Sequence, residues 1–367
     1  GTQAAISEFV GRIVRDGTDT AIFARLTDDS EVVYLANRLG NVEVIVDGNT
    51  LIPGTSEAFT TFGESPIQAL SNGVVAFYGE SENDRGFYAS STSGSVIRLI
   101  DSNTGIPGAS QKFGSFVHLE FEGAGFYVLA GESLADGTGV YAGASSNALR
   151  VIADKNTSIP NGTGQFTTIQ DFALSGGHVA FRGLGETGQD GLYDGTGPDD
   201  LSLVADQSTP IPGGNGNFIG FGSVNANMVS PSVDLNAGHV AFIGRGADSQ
   251  IGLYAQIDSE LRVVVDGQTD FGDRTLTDLA ISHQAISGNH IILHATFSDG
   301  SESIFEVTIP AESALPVTVQ PGEVVSSVLF GAVPLPGTIR GTSFTDSDVD
   351  RVFDTGESGN AGRTVFL

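Results

Sequence analysis

Short apolar and aromatic runs, four to eight residues long, alternate along the chain with Gly, Asn, Asp and Ser. Such lengths, with β-branched and aromatic content, predict strands rather than helices. No segment keeps a 3.6-residue period between caps. The runs also repeat. One phrase is Asp47-Gly-Asn-Thr50-Leu-Ile-Pro53-Gly, and it returns from Asp101, Asp154 and Asp206, with a decayed copy Asp266-Gly-Gln-Thr269-Asp-Phe-Gly. The intervals are 54, 53, 52 and 60 residues. A second phrase reads Leu70-Ser-Asn-Gly-Val-Val-Ala-Phe77 and returns from Leu174 and Leu235. A third is Gly86-Phe-Tyr88, Gly139-Val-Tyr141, Gly191-Leu-Tyr193 and Gly252-Leu-Tyr254. A fourth is the apolar run before each Asp, as in Val44–Val46 and Val263–Val265.

Each unit therefore predicts four short strands. Six units run near 6–46, 59–100, 113–153, 166–205, 218–265 and 276–309. The last has two clear strands and no obvious fourth. Four strands repeated every fifty-odd residues is the pattern of a β-propeller. A β-solenoid is the alternative, but its coils are usually shorter. The fold expected is all-β, a propeller of six four-stranded blades over 1–310. A linker or strand pair follows over 311–336, then an Ig-like partial module over 337–367. Ring closure needs a terminal strand, from 1–14 or from 315–320.

Composition narrows the function. Sixteen Lys+Arg face 44 Asp+Glu, a net charge of −28. A surface so acidic repels phosphate backbones, so no nucleic-acid partner is expected. Without Cys there are no disulfides, thiolate nucleophiles or Cys-ligated metals. No apolar run approaches the roughly 20 residues of a membrane helix, and the opening residues predict no signal peptide. The 50 Gly suit the many tight turns of such a repeat.

The sharpest chemical motif lies near the C-terminal end. Counting Asp346 as position 1, acids fall at positions 1, 3, 5, 9 and 12: Asp346, Asp348, Asp350, Asp354 and Glu357. Val352 at position 7 would offer its carbonyl. This is the spacing of an EF-hand-type calcium loop, although Arg351 stands where Gly makes the sharp turn. An exposed acidic turn is the alternative. In the repeated Asp loop, an Asx-turn with Pro fixing the exit and Ile plugging the gap between blades is preferred over a ring of ligand sites. His178, His239 and His290 open the second strand of three adjacent units. They could present three imidazoles to zinc or copper. Packing is preferred, because Val74 and Phe126 hold that position elsewhere. Asp84, Glu132, Asp136, Glu186 and Asp190 follow second strands and are expected to be solvated loop acids. No Gly-x-Ser-x-Gly or Gly-rich run precedes a helix.

The Leu-Ser-Asn-Gly-Val-Val-Ala-Phe phrase, with its Asp-x-x-Thr-x-Ile-Pro partner, resembles tandem-repeat proteins of bacterial surfaces and secreted matrices over about 6–309. Ile339-Arg-Gly341 through Val365-Phe-Leu367 is similar to the start of an SD-repeat-type B module, an immunoglobulin-like, calcium-binding stalk module of surface adhesins. Val317-Thr-Val-Gln-Pro-Gly322 through Gly331 resembles the strand pair that flanks such modules. The resemblance implies an extracellular, non-enzymatic adhesin, matrix component or filament subunit. It would assemble by strand addition through an incomplete C-terminal module, with itself or with cell-surface components as partners. A carbohydrate-binding propeller, and a polysaccharide hydrolase or lyase with an axial site, are the rivals. The axial enzyme predicts non-repeated polar residues converging on one face, and the repeated motifs argue against it.

Overall fold

The computed structural model describes residues 5–310, apart from 12, 38, 93–94, 123–125, 134–136, 145–147 and 224–230. The chain divides into two compact units, Gly1–Pro310 and Ala311–Leu367. The second unit lies outside the described residues. With it lie the expected linker, the strand pair, the Ig-like partial module and the acidic loop.

Regular structure among the described residues is entirely β-strand. Six antiparallel sheets follow one another over 6–47, 67–101, 115–153, 166–206, 220–266 and 276–308. Within each, the main strands pair in chain order, which short Gly, Asn and Asp turns permit. The inner strands of successive sheets, each the first of its sheet except in the first and fifth, where Ile6–Phe9 and Gly220–Phe221 precede, lie against one another: Val14–Asp16, Ile67–Ser71, Ser115–Glu122, Phe166–Ser175, Val233–Asn236 and Leu276–Ser287. Sequential meanders that meet through their inner strands form a β-propeller, as the repeat predicts.

Two details correct the sequence expectation. Five sheets carry four or five strands, whereas the last has three: Leu276–Ser287, His290–Phe297 and Glu302–Thr308. Six four-stranded blades are therefore not what the described residues contain; five are complete. The units before it fill the outer position with the apolar run preceding each Asp loop, and no such run follows Thr308 within the described residues. The other correction concerns closure. Among the described residues of segment 1–14, Ile6–Phe9 pairs with Asp19–Leu26 of its own sheet, Ile6 opposite Leu26 and Phe9 opposite Ala24. The other candidate, 315–320, is outside the described residues.

The core sits between sheets rather than within them. Val46 of the first sheet and Phe77 of the second share one buried cluster, and the same holds at the next four junctions. At four junctions the repeated loop supplies the plug, with Ile52, Ile106, Ile159 and Ile211 all buried. The loop is held as an Asx-turn. Asp154 Oδ1 accepts from Asn156 N at 2.9 Å and from Thr157 Oγ1 at 3.0 Å, and Thr157 Oγ1 accepts from Asp154 N at 3.0 Å. The same bonds recur at Asp47, Asp101, Asp206 and Asp266. These carboxylates are thus engaged by their own loops.

Each repeated Tyr ends in a packed aromatic set. Phe166, Phe181 and Tyr193 stand 4.9–5.7 Å apart, and Phe218, Phe242 and Tyr254 repeat the arrangement. The Gly two residues earlier makes room: a Cβ on Gly191 would lie 2.7 Å from the Tyr193 hydroxyl. A bulge falls beside each Tyr, between Leu192 and Tyr193 in the fourth sheet and between Leu253 and Tyr254 in the fifth.

Ile159→Ala is expected to cost about 2–5 kcal/mol in chemical denaturation, because it empties a junction. Leu51→Ala, at a side chain 56% exposed in the equivalent loop, is expected to cost under about 0.5 kcal/mol.

Candidate functional site

The six inner strands surround a channel. A cavity of about 600 Å³ is lined by residues from all six, among them Arg15, Ser71, Glu120, Ser175, Asn236 and Gln284. A smaller cavity of about 200 Å³ adjoins it and shares Arg15, Glu120 and Gln284. Polar side chains hold the wall together. Asp16 Oδ2 accepts from Asn72 N of the second sheet at 2.7 Å, and Glu120 Oε2 accepts from Leu174 N of the fourth at 2.7 Å. Asp171 accepts from the Ser232 backbone and hydroxyl of the fifth sheet. Asp234 accepts from Gln284 N at 3.3 Å and Ile286 N at 2.9 Å of the sixth. Ser175 Oγ and Asn236 Oδ1 take further backbone N–H groups one sheet on.

Two groups break the repeat. His283 lies in a bulge of Leu276–Ser287, where the register jumps from Ile281 to Ile286 and Gln284 takes φ of +60°. The bulge sends residues away from the regular ladder and toward the axis. There His283 Nδ1 meets Glu120 Oε1 at 2.8 Å, joining the third sheet to the sixth. The other oxygen of Glu120 holds the Leu174 amide, so the carboxylate is fixed by two partners. The Glu120 side chain is 11% exposed and the His283 side chain 32%. The imidazole thus keeps an open edge while the carboxylate behind it is covered. Nδ1 faces the carboxylate as an ion-pair contact, and Nε2 is the ring nitrogen on the far side.

Asp234 sits behind the same bulge. Burial pushes its carboxyl up to about 6; the Ile286 amide pulls it down, and the charge of Glu120 pushes it up again.

The sequence candidates fall elsewhere. His178, His239 and His290 do not converge. His178 Nδ1 meets Asp194 at 3.3 Å, His239 Nδ1 the Gly288 carbonyl at 3.3 Å, and His290 Nδ1 meets Glu306 at 2.9 Å. No group of three or more His, Asp or Glu suited to a metal occurs among the described residues. Asp346, Asp348, Asp350, Val352, Asp354 and Glu357 lie outside the described residues. The solvated-loop expectation needs correcting at Asp84 and Asp190, which are buried. Arg98 reaches Asp84 at 3.5 Å and Asp101 at 2.7 Å, and Arg182 reaches Asp190 at 2.8 Å. Glu186 is exposed as expected, and Asp136 is not among the described residues. Glu120, Asp234 and His283 were missed. Glu120 and His283 belong to no repeated phrase, and that irregularity is the signal that marks them.

A model described as "Family of unknown function (DUF7453)" matches residues 1–275. No curated protein matches the sequence significantly. Among solved structures, the β-propeller domain of the Trilobed protease from Pyrococcus furiosus is similar, at 10% identity and a TM-score of 0.36 over 87% of this chain and 100% of that one. Pyrococcus horikoshii acylaminoacyl peptidase is similar at 12% identity and a TM-score of 0.38, over 83% of this chain and 45% of the peptidase. The uncharacterized protein lmo1340 from Listeria monocytogenes EGD-e follows at 10% identity and a TM-score of 0.39, over 83% of this chain and 84% of that one. The expected non-enzymatic adhesin or fibre subunit finds no counterpart among these neighbours, two of which are peptidases or domains of them. At these identities and TM-scores the likeness carries no activity to this chain.

The Asp234 carboxyl gives a pH test. Its folded value lies above the ordinary 3.8, so the folded state holds the proton more tightly than the unfolded state. Its contribution is present below about pH 4 and lost as pH rises toward 6, a change of about 3 kcal/mol. Denaturant titrations between pH 4 and 7.5 are expected to show a flatter slope for Asp234→Asn than for the wild type. Parallel slopes would reject the assignment.

Proposed function

The chain belongs to DUF7453, a family of unknown function, and we propose that it is a hydrolase-type catalyst whose site is the axial channel. His283 acts as general base and Glu120 holds it. Arg15 receives an anionic or developing negative group of the substrate. The observation that carries this is the 2.8 Å contact of His283 Nδ1 with Glu120 Oε1 between the third and sixth sheets.

A carboxylate at Nδ1 keeps the proton on that nitrogen, turns Nε2 into the base and stabilises the imidazolium that forms. Nε2 takes a proton from water as the water oxygen attacks. The imidazolium then returns that proton to the leaving group. A channel of about 600 Å³ with amide, hydroxyl and charged walls suits a small polar substrate or one residue of a longer one. We read the three-stranded sheet as the sixth blade, because its first strand lines the same channel.

The test is a panel of chromogenic esters, glycosides and peptide amides, assayed with the wild type, His283→Ala and Glu120→Gln. One class is expected to turn over, with kcat/KM falling about 10²–10⁴-fold in His283→Ala and less in Glu120→Gln. Turnover that survives His283→Ala unchanged would refute the axial mechanism, as would no turnover in any class.

We further propose that Asp346, Asp348, Asp350, Val352, Asp354 and Glu357 hold calcium and that the protein works outside the cell. Loops of this type saturate at extracellular calcium levels. The support is the ligand spacing. Calorimetric titration of the full chain is expected to show one calcium site that Glu357→Gln weakens at least about tenfold, since position 12 normally gives two oxygens. Equal binding by the variant would count against the loop.

A further inference from the structure

Among the described residues, ten that are not glycine take a positive φ. Eight of them lie in turns and loops between strands, where tight connections use this conformation. The other two, Asp171 and Gln284, lie inside the inner strands Phe166–Ser175 and Leu276–Ser287. Each sits at a register shift, between Gln170 and Phe172 in the fourth sheet and between Ile281 and Ile286 in the sixth.

The Asp171 side chain has a use within the fold, since it accepts from the Ser232 backbone and hydroxyl. Aspartate also tolerates the left-handed region better than most residues. Gln284 has neither reason to be there. Its carboxamide bonds to no other described residue, and glycine would hold the same backbone without steric cost. What Gln284 has is a place in the channel. Together with Arg15 and Glu120 it lines both the larger and the smaller cavity, so these three residues mark the neck between them. His283, the preceding residue, lines the smaller one. From behind, the buried Asp234 fixes the backbone by accepting from Gln284 N at 3.3 Å and Ile286 N at 2.9 Å. A strained backbone clamped on one side, with a free side chain on the other, makes that side chain the reason for the strain.

We propose that Gln284 is a specificity-determining residue of the axial site: its carboxamide, at the neck of the channel, hydrogen-bonds an uncharged polar group of the substrate beside the bond that is cut. This rests on the catalytic reading of His283. Asp234 is then a positioning residue that acts through the Gln284 backbone. The neck offers three kinds of partner, because Arg15 only donates, an ionised Glu120 only accepts and Gln284 does both. Glu120 is already engaged by His283 and the Leu174 amide. Substrate groups are therefore sorted by the other two, an anion by Arg15 and an amide or hydroxyl by Gln284.

The test is thermal melting and steady-state kinetics of Gln284→Gly, Gln284→Asn and His283→Ala, on the substrate class that the wild type turns over. Gln284→Gly relieves the backbone and removes the carboxamide. It is expected to melt no lower than the wild type, with the His283 ring signals unmoved by NMR, while kcat/KM falls about three- to tenfold, as for one neutral hydrogen bond. Gln284→Asn keeps a carboxamide on a residue that accepts the left-handed region, and is expected to recover part of the loss. Unchanged kcat/KM in Gln284→Gly, with His283→Ala impaired, overturns the proposal and leaves the catalytic reading standing. A fall that comes with a lower melting temperature and displaced His283 signals also overturns it, because Gln284 would then be structural. Turnover that His283→Ala leaves intact, or no turnover at all, refutes the catalytic reading and this proposal with it.

Discussion

Around the channel, the inner strand of each sheet has a sheet partner on one side only. Its inner edge leaves backbone N–H groups that must find acceptors. The molecule meets this by handing a side-chain oxygen from one inner strand to the backbone of the next: Asp16 to Asn72, Glu120 to Leu174, Asp171 to Ser232, Asp234 to Gln284 and Ile286. Sheet spacing, channel width and the position of the bulge that carries His283 all depend on this relay. Much of the acidity that looks like surface charge in the sequence is therefore structural. Replacing any of these carboxylates with an apolar side chain would strand an amide and loosen two neighbouring blades together.

The repeat made the architecture legible. The Asp, Ile and Tyr positions carry the turn, the plug and the aromatic set, and the same chemistry recurs at each copy, so the blades could be placed nearly to the residue. Less was legible where one copy differs. That the last sheet has no outer strand among the described residues could be suspected from the pattern. The role of Ile6–Phe9 could not, because a short strand with every side chain exposed looks the same whichever edge it joins. The axial pair was hidden for another reason. Glu120 and His283 lie 163 residues apart, and only the ring geometry brings the third and sixth sheets to one axis. Repeated histidines drew attention precisely because they repeat, yet each is spent on a partner nearby.

The structure thus separates two kinds of residue. Repeated positions maintain the scaffold and tolerate little change, because each is matched to a neighbour of fixed size, as Gly191 is to Tyr193. Departures from the repeat gather in the sixth sheet and the loop before it: the bulge at Gln284, the shortened loop after Asp266 and, among the described residues, the lack of an outer strand. Divergence in one blade leaves the other junctions intact. It is a low-cost route to a site on a repetitive frame.

Many propellers join their first and last blades by exchanging a strand, and then no blade at the seam is finished until the whole chain is made. Here Ile6–Phe9 completes its own sheet, so all five strands of that sheet come from the first 47 residues. That sheet can acquire its full set of strands from one continuous segment, and each later blade can be laid against one already formed. Strand pairing is local in sequence throughout, which shortens the loops that must close before contacts form.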